Sequence, residues 1–346
     1  MASTKTAIGP NGIDFTVYKG SPSREIVQAK THREGLKGDE VLLRVTHSGL
    51  CGTDEHFLEK DLVLGHEGAG VVEALGPNVK SLQVGQPVAF GYQRSSCGTC
   101  SQCIDSLETF CPNRMFYGFS EFDIGSMASH IIFSEAFTYA LPPSISPAAG
   151  AALMCGGATV WNVFDMFDVR STQRVGVIGL GGLGHLAVQF ARKVGCEVVV
   201  FSSTEDKREE AIQYGAHEFF ATKGVDSFEG KVRPIHHLIV CASFQVPWDL
   251  YLPILYKPAS IYPLTVSFDE LRLPYVPWLF GGVRVQASIV APRSGYRRML
   301  EFAALHSVRA TIERYPLDKG GIERAMQDLR DGKTRYKAIL YADGED

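Results

Sequence analysis

Four cysteines between residues 97 and 111 constrain this chain more than any other feature of its sequence. They follow the spacing Cys97-x2-Cys100-x2-Cys103-x7-Cys111. The first three close small loops around one point, and the fourth returns after a longer excursion, which is typical of a tetrahedral structural zinc site. The sequence therefore predicts a closed metal site that stabilises a loop.

A second, more open set of candidate metal ligands brackets the four cysteines. Cys51 and the pair His66-Glu67 precede them, and Cys155 follows them. Reacting zinc sites keep one position open, whereas structural sites are closed. Because a structural metal seldom stands alone in an enzyme, we expect the sparser set to be the reacting one.

Length and composition favour a protein with two domains. The 346 residues exceed what one compact core usually supports. The formal charge is −4 and no long window is rich in Lys and Arg, so we expect no nucleic-acid partner. The first residues lack an apolar signal segment, and no run of about eighteen apolar residues occurs, so we expect no membrane partner and a cytoplasmic location.

The eight cysteines are expected to remain thiols. A reducing compartment and the metal-like spacing both favour thiolate ligands over disulfides. Cys196 and Cys241 belong to neither ligand set and lie in apolar surroundings. We predict that these two are small buried hydrophobic residues.

The pattern of apolar residues changes in the middle of the chain. From residue 41 to about residue 141, short alternating segments are broken by Gly, Pro and Asn, which predicts a β-rich, barrel-like region. Ser146-Pro147 is a plausible helix start. From Arg174 onward, strands alternate with helices, which predicts a parallel sheet.

The predicted fold class is therefore α/β, with a β-rich domain and a doubly wound, parallel-sheet domain. A strand is predicted for Val283 to Ile289 in the second domain. A short final strand, Lys337 to Tyr341, should pack back on the first domain. The domain boundaries that we predict are 1–150 together with 291–346 for the β-rich domain, and 151–290 for the parallel-sheet domain.

A glycine-rich turn, Gly179-Leu-Gly-Gly-Leu-Gly184, follows a predicted strand and opens a predicted helix. The first glycine permits a tight turn, the second lets the backbone approach a pyrophosphate, and the third lets helix and strand pack closely. The helix N-terminus favours the negative charge. An ordinary glycine-rich turn is the alternative to a dinucleotide site. The residues expected to contact the dinucleotide are Gly179, Gly181, Gly182, Leu183 and Gly184.

The end of the next strand favours NADP over NAD. NAD-binding chains commonly place an Asp or Glu there to bind the ribose 2′-hydroxyl. This chain has Ser202 and Ser203 instead, and Lys207 follows closely. Hydroxyl groups and positive charge suit a 2′-phosphate, so we expect these three residues to bind it. In the alternative, Glu205 or Asp206 acts as the acid, and the basic residues after it merely begin a solvated helix.

Two segments, Cys51-Gly-Thr-Asp-Glu-His56 and Gly65-His-Glu-Gly-Ala-Gly70, together with the cysteines and the glycine turn in this order, resemble the zinc-dependent medium-chain alcohol dehydrogenases. The resemblance spans nearly the whole chain. The run Ser-Ser-x-x-x-Lys-Arg-Glu-Glu-Ala from Ser202 and the segment Leu300-Glu-Phe-Ala-Ala304 look like the cinnamyl alcohol dehydrogenase branch, which uses NADP. The resemblance implies a GroES-like catalytic domain, a Rossmann domain, and a homodimer formed through the strand predicted near residues 283–289.

The resemblance also assigns the open ligand set. Cys51, His66 and Cys155 would bind a catalytic zinc ion, by analogy with the two cysteines and one histidine of alcohol dehydrogenase. Glu67 would be the nearby carboxylate that can exchange with water on the metal. Asp54 would orient His66.

Further roles follow from the same resemblance. Thr53 and His56 match the family's proton relay, and their alternative interpretation is a turn hydroxyl and an exposed imidazole. The aromatic residues Phe57, Tyr92 and Phe116 fall where the family lines its substrate pocket, although aromatic residues are also common in cores.

The expected function is zinc-assisted, NADP(H)-dependent interconversion of an aldehyde or ketone and its alcohol, with two zinc ions per chain. An alternative is NADPH-dependent reduction of a conjugated C=C or C=N bond of a specialised metabolite, which relatives of this fold can perform, sometimes without catalytic zinc. The presence of Cys51, His66 and Cys155 argues against zinc-free chemistry.

The loop between Cys51 and His66 is shorter than is usual in the family, since only fifteen positions separate the two residues. A shorter loop predicts a wider substrate entrance. It also weakens the case for a cinnamyl aldehyde as the substrate.

Two other classes of protein are disfavoured. A zinc ribbon that binds nucleic acid or a partner protein does not fit the acidic balance and the glycine turn. An iron–sulfur carrier is suggested by Cys111-Pro112, but the last gap in ferredoxin runs is three residues, and here seven residues separate Cys103 from Cys111.

Overall fold

The structure is a computed structural model that describes residues 12–345. Its strands are β1 (Ile13–Lys19), β2 (Val27–Arg33), β3 (Glu40–Gly49), β4 (Glu67–Leu75), β5 (Pro87–Phe90), β6 (Gln93–Ser95), β7 (Met115–Phe116), β8 (His130–Ser134), β9 (Thr138–Ala140), β10 (Arg174–Ile178), β11 (Glu197–Ser202), β12 (Glu218–Ala221), β13 (Ile235–Val240), β14 (Leu255–Pro263), β15 (Arg284–Val285), β16 (Ile312–Pro316) and β17 (Lys337–Tyr341). Its α-helices are α1 (Gly52–His56), α2 (Ser101–Ile104), α3 (Pro147–Ala152), α4 (Ala158–Met166), α5 (Gly184–Val194), α6 (Arg208–Tyr214), α7 (Trp248–Tyr251), α8 (Tyr275–Gly281), α9 (Arg293–His306) and α10 (Lys319–Arg330).

The chain divides into two compact units. The first unit is Met1–Cys155 with Pro292–Asp346, and the second is Gly156–Ala291. Each unit contains its own main sheet. Within residues 12–345, no helix combines the length and the apolar character needed to cross a bilayer.

The first unit is built on a seven-stranded mixed sheet. Its strand order is β16-β17-β3-β4-β5-β9, and β8 pairs with β3. The final strand, β17, runs antiparallel to β3, with Leu340 opposite Ser48, so the C-terminal segment packs on this unit as predicted. Buried β-branched and aromatic residues such as Val41, Val72 and Phe90 form a core beneath the sheet.

A helix with an unusual last turn carries one candidate ligand. Helix α3 begins after Ser146, whose Oγ accepts a hydrogen bond from the N–H of Ala149 at 3.3 Å, and Pro147 occupies its first turn, as the sequence predicted. A π-helical turn, Leu153–Gly157, follows directly and contains Cys155. Such turns are rare and occur frequently at functional sites.

The second unit is a parallel sheet, as the alternation of strands and helices predicted. Its strand order is β12-β11-β10-β13-β14-β15, and all five pairings are parallel. Strands β10 and β13 lie in the middle and are almost completely buried, as is usual for parallel sheets. Phe201, Leu238 and Ile261 belong to the main hydrophobic cluster of this unit.

The strand predicted for Val283 to Ile289 was too long. Only Arg284 and Val285 pair with β14, opposite Ser260 and Ile261. The strand lies at the edge of the sheet and has a partner on one side only, so its length is limited by the pairing with β14. The apolar residues of the segment do not by themselves show where its pairing with β14 ends.

Candidate active site and metal centres

The four clustered cysteines converge on one point of the first unit. Their sulfur atoms all lie within 4.8 Å of one another. Cys97 Sγ lies 3.5 Å from Cys111 Sγ, and Cys100 Sγ lies 3.5 Å from Cys103 Sγ. The backbone N–H groups of Thr99 and Cys100 donate to Cys97 and help to lower the pKa of its thiol to about 6. Four converging sulfur atoms fit the closed ligand set of a structural zinc ion.

The second ligand set also converges. The ligand atoms of Cys51, His66, Glu67 and Cys155 lie within 4.8 Å of one another, and the two sulfur atoms are 4.0 Å apart. Cys51 immediately precedes α1, Glu67 begins β4, and Cys155 lies in the π-helical turn. Three separate elements of the first unit therefore deliver these side chains to one place.

Asp54 connects the residues of this set. Its side chain is inaccessible to solvent. Its Oδ1 accepts hydrogen bonds from His66 Nδ1 at 3.1 Å, from the Gly65 N–H at 3.1 Å and from the Tyr117 hydroxyl at 2.9 Å. Its Oδ2 accepts from the Cys51 N–H at 3.0 Å. The carboxylate thus holds the backbone of one candidate ligand and the ring of another.

The hydrogen bond to Asp54 determines which nitrogen of His66 can bind a metal. Nδ1 is occupied by the carboxylate, and the buried Nε2 makes no hydrogen bond within the described residues. A buried polar atom without a partner is costly and calls for an explanation. A metal ion bound at Nε2 supplies one, because metal-ligating histidines usually donate their other N–H to a carboxylate or carbonyl.

The charges in the set also suit a cation. A hydrogen bond from the Cys155 thiol lowers the pKa of Cys51 well below its usual value and raises the pKa of Cys155. Burial acts to lower the pKa of His66, but the charge and hydrogen bond of Asp54 raise it to about 10. The Cys51 thiolate and the Asp54 carboxylate therefore place negative charge around His66, where a zinc ion would lie.

Lys337 is a member of the site that the sequence analysis missed. Its Nζ lies 2.8 Å from Glu67 Oε1 and donates a further hydrogen bond to the carbonyl oxygen of Leu50 at 3.3 Å. Burial raises the pKa of Glu67 to about 7, and the Lys337 charge opposes that shift. Burial alone acts to lower the pKa of Lys337, but Glu67 and the two thiols raise it. The sequence does contain one signal for this role, because Lys337 lies in the otherwise apolar strand Lys337–Tyr341. A lysine in such a strand is rarely buried without a charged partner.

The two candidate relay residues lie on the same short helix, α1. Thr53 is buried, and its Oγ1 lies 3.6 Å from Cys51 Sγ. His56 is exposed in the last turn of the helix. The helix therefore has one hydroxyl beside a candidate ligand and one imidazole at the surface.

The three predicted pocket aromatics occupy different positions. Tyr92 is half-buried and meets His66 edge-on, with 5.4 Å between the ring centroids. Phe116 is buried against Tyr92, with 5.0 Å between the centroids. Phe57 lies in the hydrophobic core and packs edge-on against Tyr117 at 5.5 Å. Tyr92 is thus the one of these three that contacts a candidate ligand.

The glycine turn of the second unit requires its glycines. Gly179 has a positive φ of 89°, which disfavours other residues. A Cβ atom on Gly184 would lie 1.9 Å from the Gly179 carbonyl oxygen. A Cβ atom on Gly181 would meet nothing within 4 Å, so the backbone is open to a ligand there. Helix α5 starts at Gly184, with Gly182 and Leu183 half-buried just before it, which fits binding of a phosphate at a helix N-terminus.

The structure brings one of the predicted phosphate-binding residues to this turn. The Lys207 ammonium donates to the carbonyl oxygen of Leu180 at 2.9 Å. At the end of β11, Ser202 is buried and Ser203 is exposed. The next basic residue, Arg208, pairs instead with Glu205 at an Nη2–Oε1 distance of 3.0 Å.

Two family models match the chain. The model of the alcohol dehydrogenase GroES-like domain matches residues 37–143. The model of the zinc-binding dehydrogenases matches residues 182–304.

Individual relatives cover nearly all of the chain. A probable cinnamyl alcohol dehydrogenase of Oryza sativa subsp. japonica is 31% identical, over 92% of this chain and 93% of the relative. An aldehyde reductase of Synechocystis sp. is 30% identical, over 88% of this chain and 92% of the relative. Among solved structures, a cinnamyl alcohol dehydrogenase of Sorghum bicolor superposes with a TM-score of 0.87 at 26% identity, covering 96% of this chain and 99% of that chain.

Proposed function

The chain belongs to the zinc-dependent medium-chain alcohol dehydrogenases, in the branch of the cinnamyl alcohol dehydrogenases, and from that premise we propose that it reduces an aldehyde or ketone with NADPH at a zinc ion. The reverse reaction, oxidation of the alcohol, uses the same groups. The observation that carries the proposal is the convergence of Cys51, His66, Glu67 and Cys155, with the His66 Nε2 atom buried and unpartnered within the described residues.

We propose that Cys51, His66 and Cys155 hold the catalytic zinc ion and that Cys97, Cys100, Cys103 and Cys111 hold a structural one. When bound at the first set, zinc supplies a Lewis acid that stabilises the negative charge left on the carbonyl oxygen by hydride transfer. The closed set of four cysteines leaves no position for a substrate, so its role is to fix the loop between residues 97 and 111.

The side chains of this chain have distinct tasks in the reaction. Asp54 keeps His66 in the tautomer whose Nε2 is available, because Nδ1 donates to its carboxylate. Lys337 pairs with the buried Glu67 carboxylate and compensates its charge. Thr53 provides a hydroxyl beside Cys51 from which the product oxygen can take a proton, and the exposed His56 exchanges protons with solvent.

We propose that the second unit binds NADPH through the glycine turn and the residues after β11. The open backbone at Gly181 supports approach of a pyrophosphate. The exposed Ser203 and the ammonium of Lys207, which lies 2.9 Å from the Leu180 carbonyl oxygen, support binding of a 2′-phosphate. The pairing of Arg208 with Glu205 leaves Lys207 as the basic residue of this segment that reaches the turn.

We also propose that the enzyme is a homodimer formed through the edge of the parallel sheet. Strand β15 lies at that edge, and the adjacent helix α8 exposes several large apolar side chains. An exposed apolar patch beside an unpaired strand edge is typical of an interaction surface. The exposed apolar residues of α8 are Tyr275, Val276, Leu279 and Phe280.

The cofactor and the substrate class are tested by one assay. Oxidation of NADPH and of NADH is followed with a panel of aldehydes, ketones, enones and imines. We expect carbonyl reduction with NADPH, and we expect Ser203→Asp and Lys207→Ala to lower the ratio of kcat/KM for NADPH to that for NADH. Lys231→Ala, which removes a lysine elsewhere in the second unit, is the matched control and should leave the ratio unchanged. Consumption of NADPH with enones or imines but not with carbonyls would support the alternative function instead.

A further inference from the structure

Tyr117 lies against His66 in the first unit. It follows strand β7 directly and is inaccessible to solvent. Its ring stacks on the imidazole of His66, with 4.7 Å between the centroids and 30° between the planes. One face of the imidazole is therefore covered by a phenol ring, while Tyr92 meets the same imidazole edge-on at 5.4 Å.

The hydroxyl group of Tyr117 joins the network that orients His66. It donates to Asp54 Oδ1 at 2.9 Å and accepts a hydrogen bond from the Gly65 N–H at 3.1 Å. Asp54 Oδ1 is the atom that also accepts from His66 Nδ1. Tyr117 thus contacts His66 by its ring, and also contacts both the residue before His66 and the carboxylate that orients it.

A carboxylate buried as completely as Asp54 depends on its hydrogen bonds. Of its four donors, two are backbone N–H groups, one is His66 and one is Tyr117. Hydrogen bonds to an ionised group are stronger than those between neutral groups. Loss of the hydroxyl removes one of the two side-chain donors and, at the same time, one acceptor of the Gly65 N–H.

We propose that Tyr117 is a positioning residue for the metal, acting through Asp54 and His66. This inference rests on the proposed zinc site at Cys51, His66 and Cys155. The phenol ring and the hydroxyl together fix the plane of the imidazole, so that Nε2 is held towards the two sulfur atoms. Partners that orient a metal ligand in this way typically contribute about 10- to 100-fold to metal affinity.

The test uses Tyr117→Phe, which keeps the stacked ring and removes only the hydroxyl group. Tyr92→Phe is the matched control, since it makes the same substitution beside the same imidazole. Tyr92 is not among the four donors to Asp54. Both full-length variants and the wild type are loaded with Co²⁺, and the visible spectrum and the rate of metal release to a chelator are measured. A Cys51→Ser protein identifies the part of the signal that comes from the four-cysteine set.

We expect Tyr117→Phe to release cobalt from the His66 set about tenfold faster or more and to alter the absorption bands of that set. Tyr92→Phe should change neither quantity. An unchanged release rate and spectrum in Tyr117→Phe would overturn the inference alone. A wild type that binds metal only at the four-cysteine set would overturn the proposed zinc mechanism, and this inference with it.

A double-mutant cycle separates positioning from a general loosening of the core. If Tyr117 acts through the carboxylate, the effects of Tyr117→Phe and Asp54→Asn on the release rate will not multiply in the double variant. Independent, multiplying effects would contradict the inference. Asp54→Asn also removes the negative charge that accepts the same hydrogen bond, so it tests the network even if Tyr117→Phe does not yield folded protein.

Discussion

Lys337 and Glu67 form an ion pair within the candidate active site, with 2.8 Å between Nζ and Oε1 and almost no solvent exposure of either side chain. Lys337 comes from the last strand of the chain and Glu67 from the first residue of β4, so the C-terminal segment completes a site that otherwise depends on residues 51–67 and Cys155. A pair this deeply buried is costly to break, because the remaining charge has no solvent to stabilise it.

Lys337→Met should therefore destabilise the protein by about 3 to 5 kcal/mol, since it removes the ion-pair partner of the buried Glu67 carboxylate. Lys337→Arg retains the charge and should cost less. The double variant Lys337→Met with Glu67→Gln should recover part of the loss, because neither charge then remains. Urea unfolding of the four proteins measures the effect. A Lys337→Met protein as stable as the wild type would show that the pair does not stabilise the fold.

The four-cysteine set should be structural. Cys103→Ser is expected to lower the zinc content by about one ion per chain and to lower the melting temperature, because a structural zinc site contributes directly to folding. Cys196→Ala alters a buried cysteine outside both ligand sets, and it should leave the zinc content unchanged. Elemental analysis and thermal unfolding are the measurements. Full zinc content in Cys103→Ser would contradict the assignment.

Thr53 should be needed for proton transfer. Thr53→Val keeps the shape of the side chain and removes its hydroxyl, so we expect kcat for aldehyde reduction to fall by about 100-fold or more. Thr53→Ser retains a hydroxyl and should keep most of the activity. Steady-state kinetics across a range of pH compares the three proteins. Equal rates for Thr53→Val and the wild type would exclude this hydroxyl from the relay.

His237 should make the second unit sensitive to acid. Burial, together with the charges of His236 and Arg284, lowers the pKa of His237 to about 4, although Asp168 opposes the shift. The neutral ring is also hydrogen-bonded, to the Tyr262 hydroxyl at 3.1 Å and to Gln173 at 2.9 Å.

Since the unfolded chain has the ordinary histidine pKa near 6.5, it binds a proton between about pH 6.5 and pH 4 while the folded state does not. Protonation of His237 in the unfolded chain therefore lowers the free energy of unfolding as the pH falls from about 6.5 towards 4. The loss amounts to at most about 3 kcal/mol, and above pH 6.5 it is absent. His237→Gln should reduce the slope of unfolding free energy against pH in this interval. An unchanged slope would show that His237 does not cause it.

The features that sequence reasoning located best are those encoded by local spacing. The spacing of the four cysteines from Cys97 to Cys111 predicts that their sulfur atoms meet at one metal site. In the structure these four sulfur atoms lie within 4.8 Å of one another. The start of α3 was readable because Ser146-Pro147 is a local capping signal. The final strand, Lys337–Tyr341, was readable from its apolar run.

The contacts that were missed depend on residues far apart in the sequence. The Lys337–Glu67 pair requires β17 to lie beside β3, which no local pattern specifies. The hydrogen bond from Tyr117 to Asp54 likewise joins the residue after β7 to helix α1. Hairpin β1–β2 was not identified because the second strand, Val27–Arg33, is mostly exposed and polar, so it shows little apolar alternation.

The central claim is that Cys51, His66 and Cys155 hold a zinc ion on which carbonyl reduction depends. Its most direct test is the zinc content and the NADPH-dependent aldehyde reductase activity of Cys155→Ala, measured on the same sample beside the wild type and the control Cys196→Ala. We predict about two zinc ions per chain and full activity in the wild type and the control, and about one zinc ion with activity lost in Cys155→Ala. Full activity in Cys155→Ala, or two zinc ions retained by it, would contradict the claim.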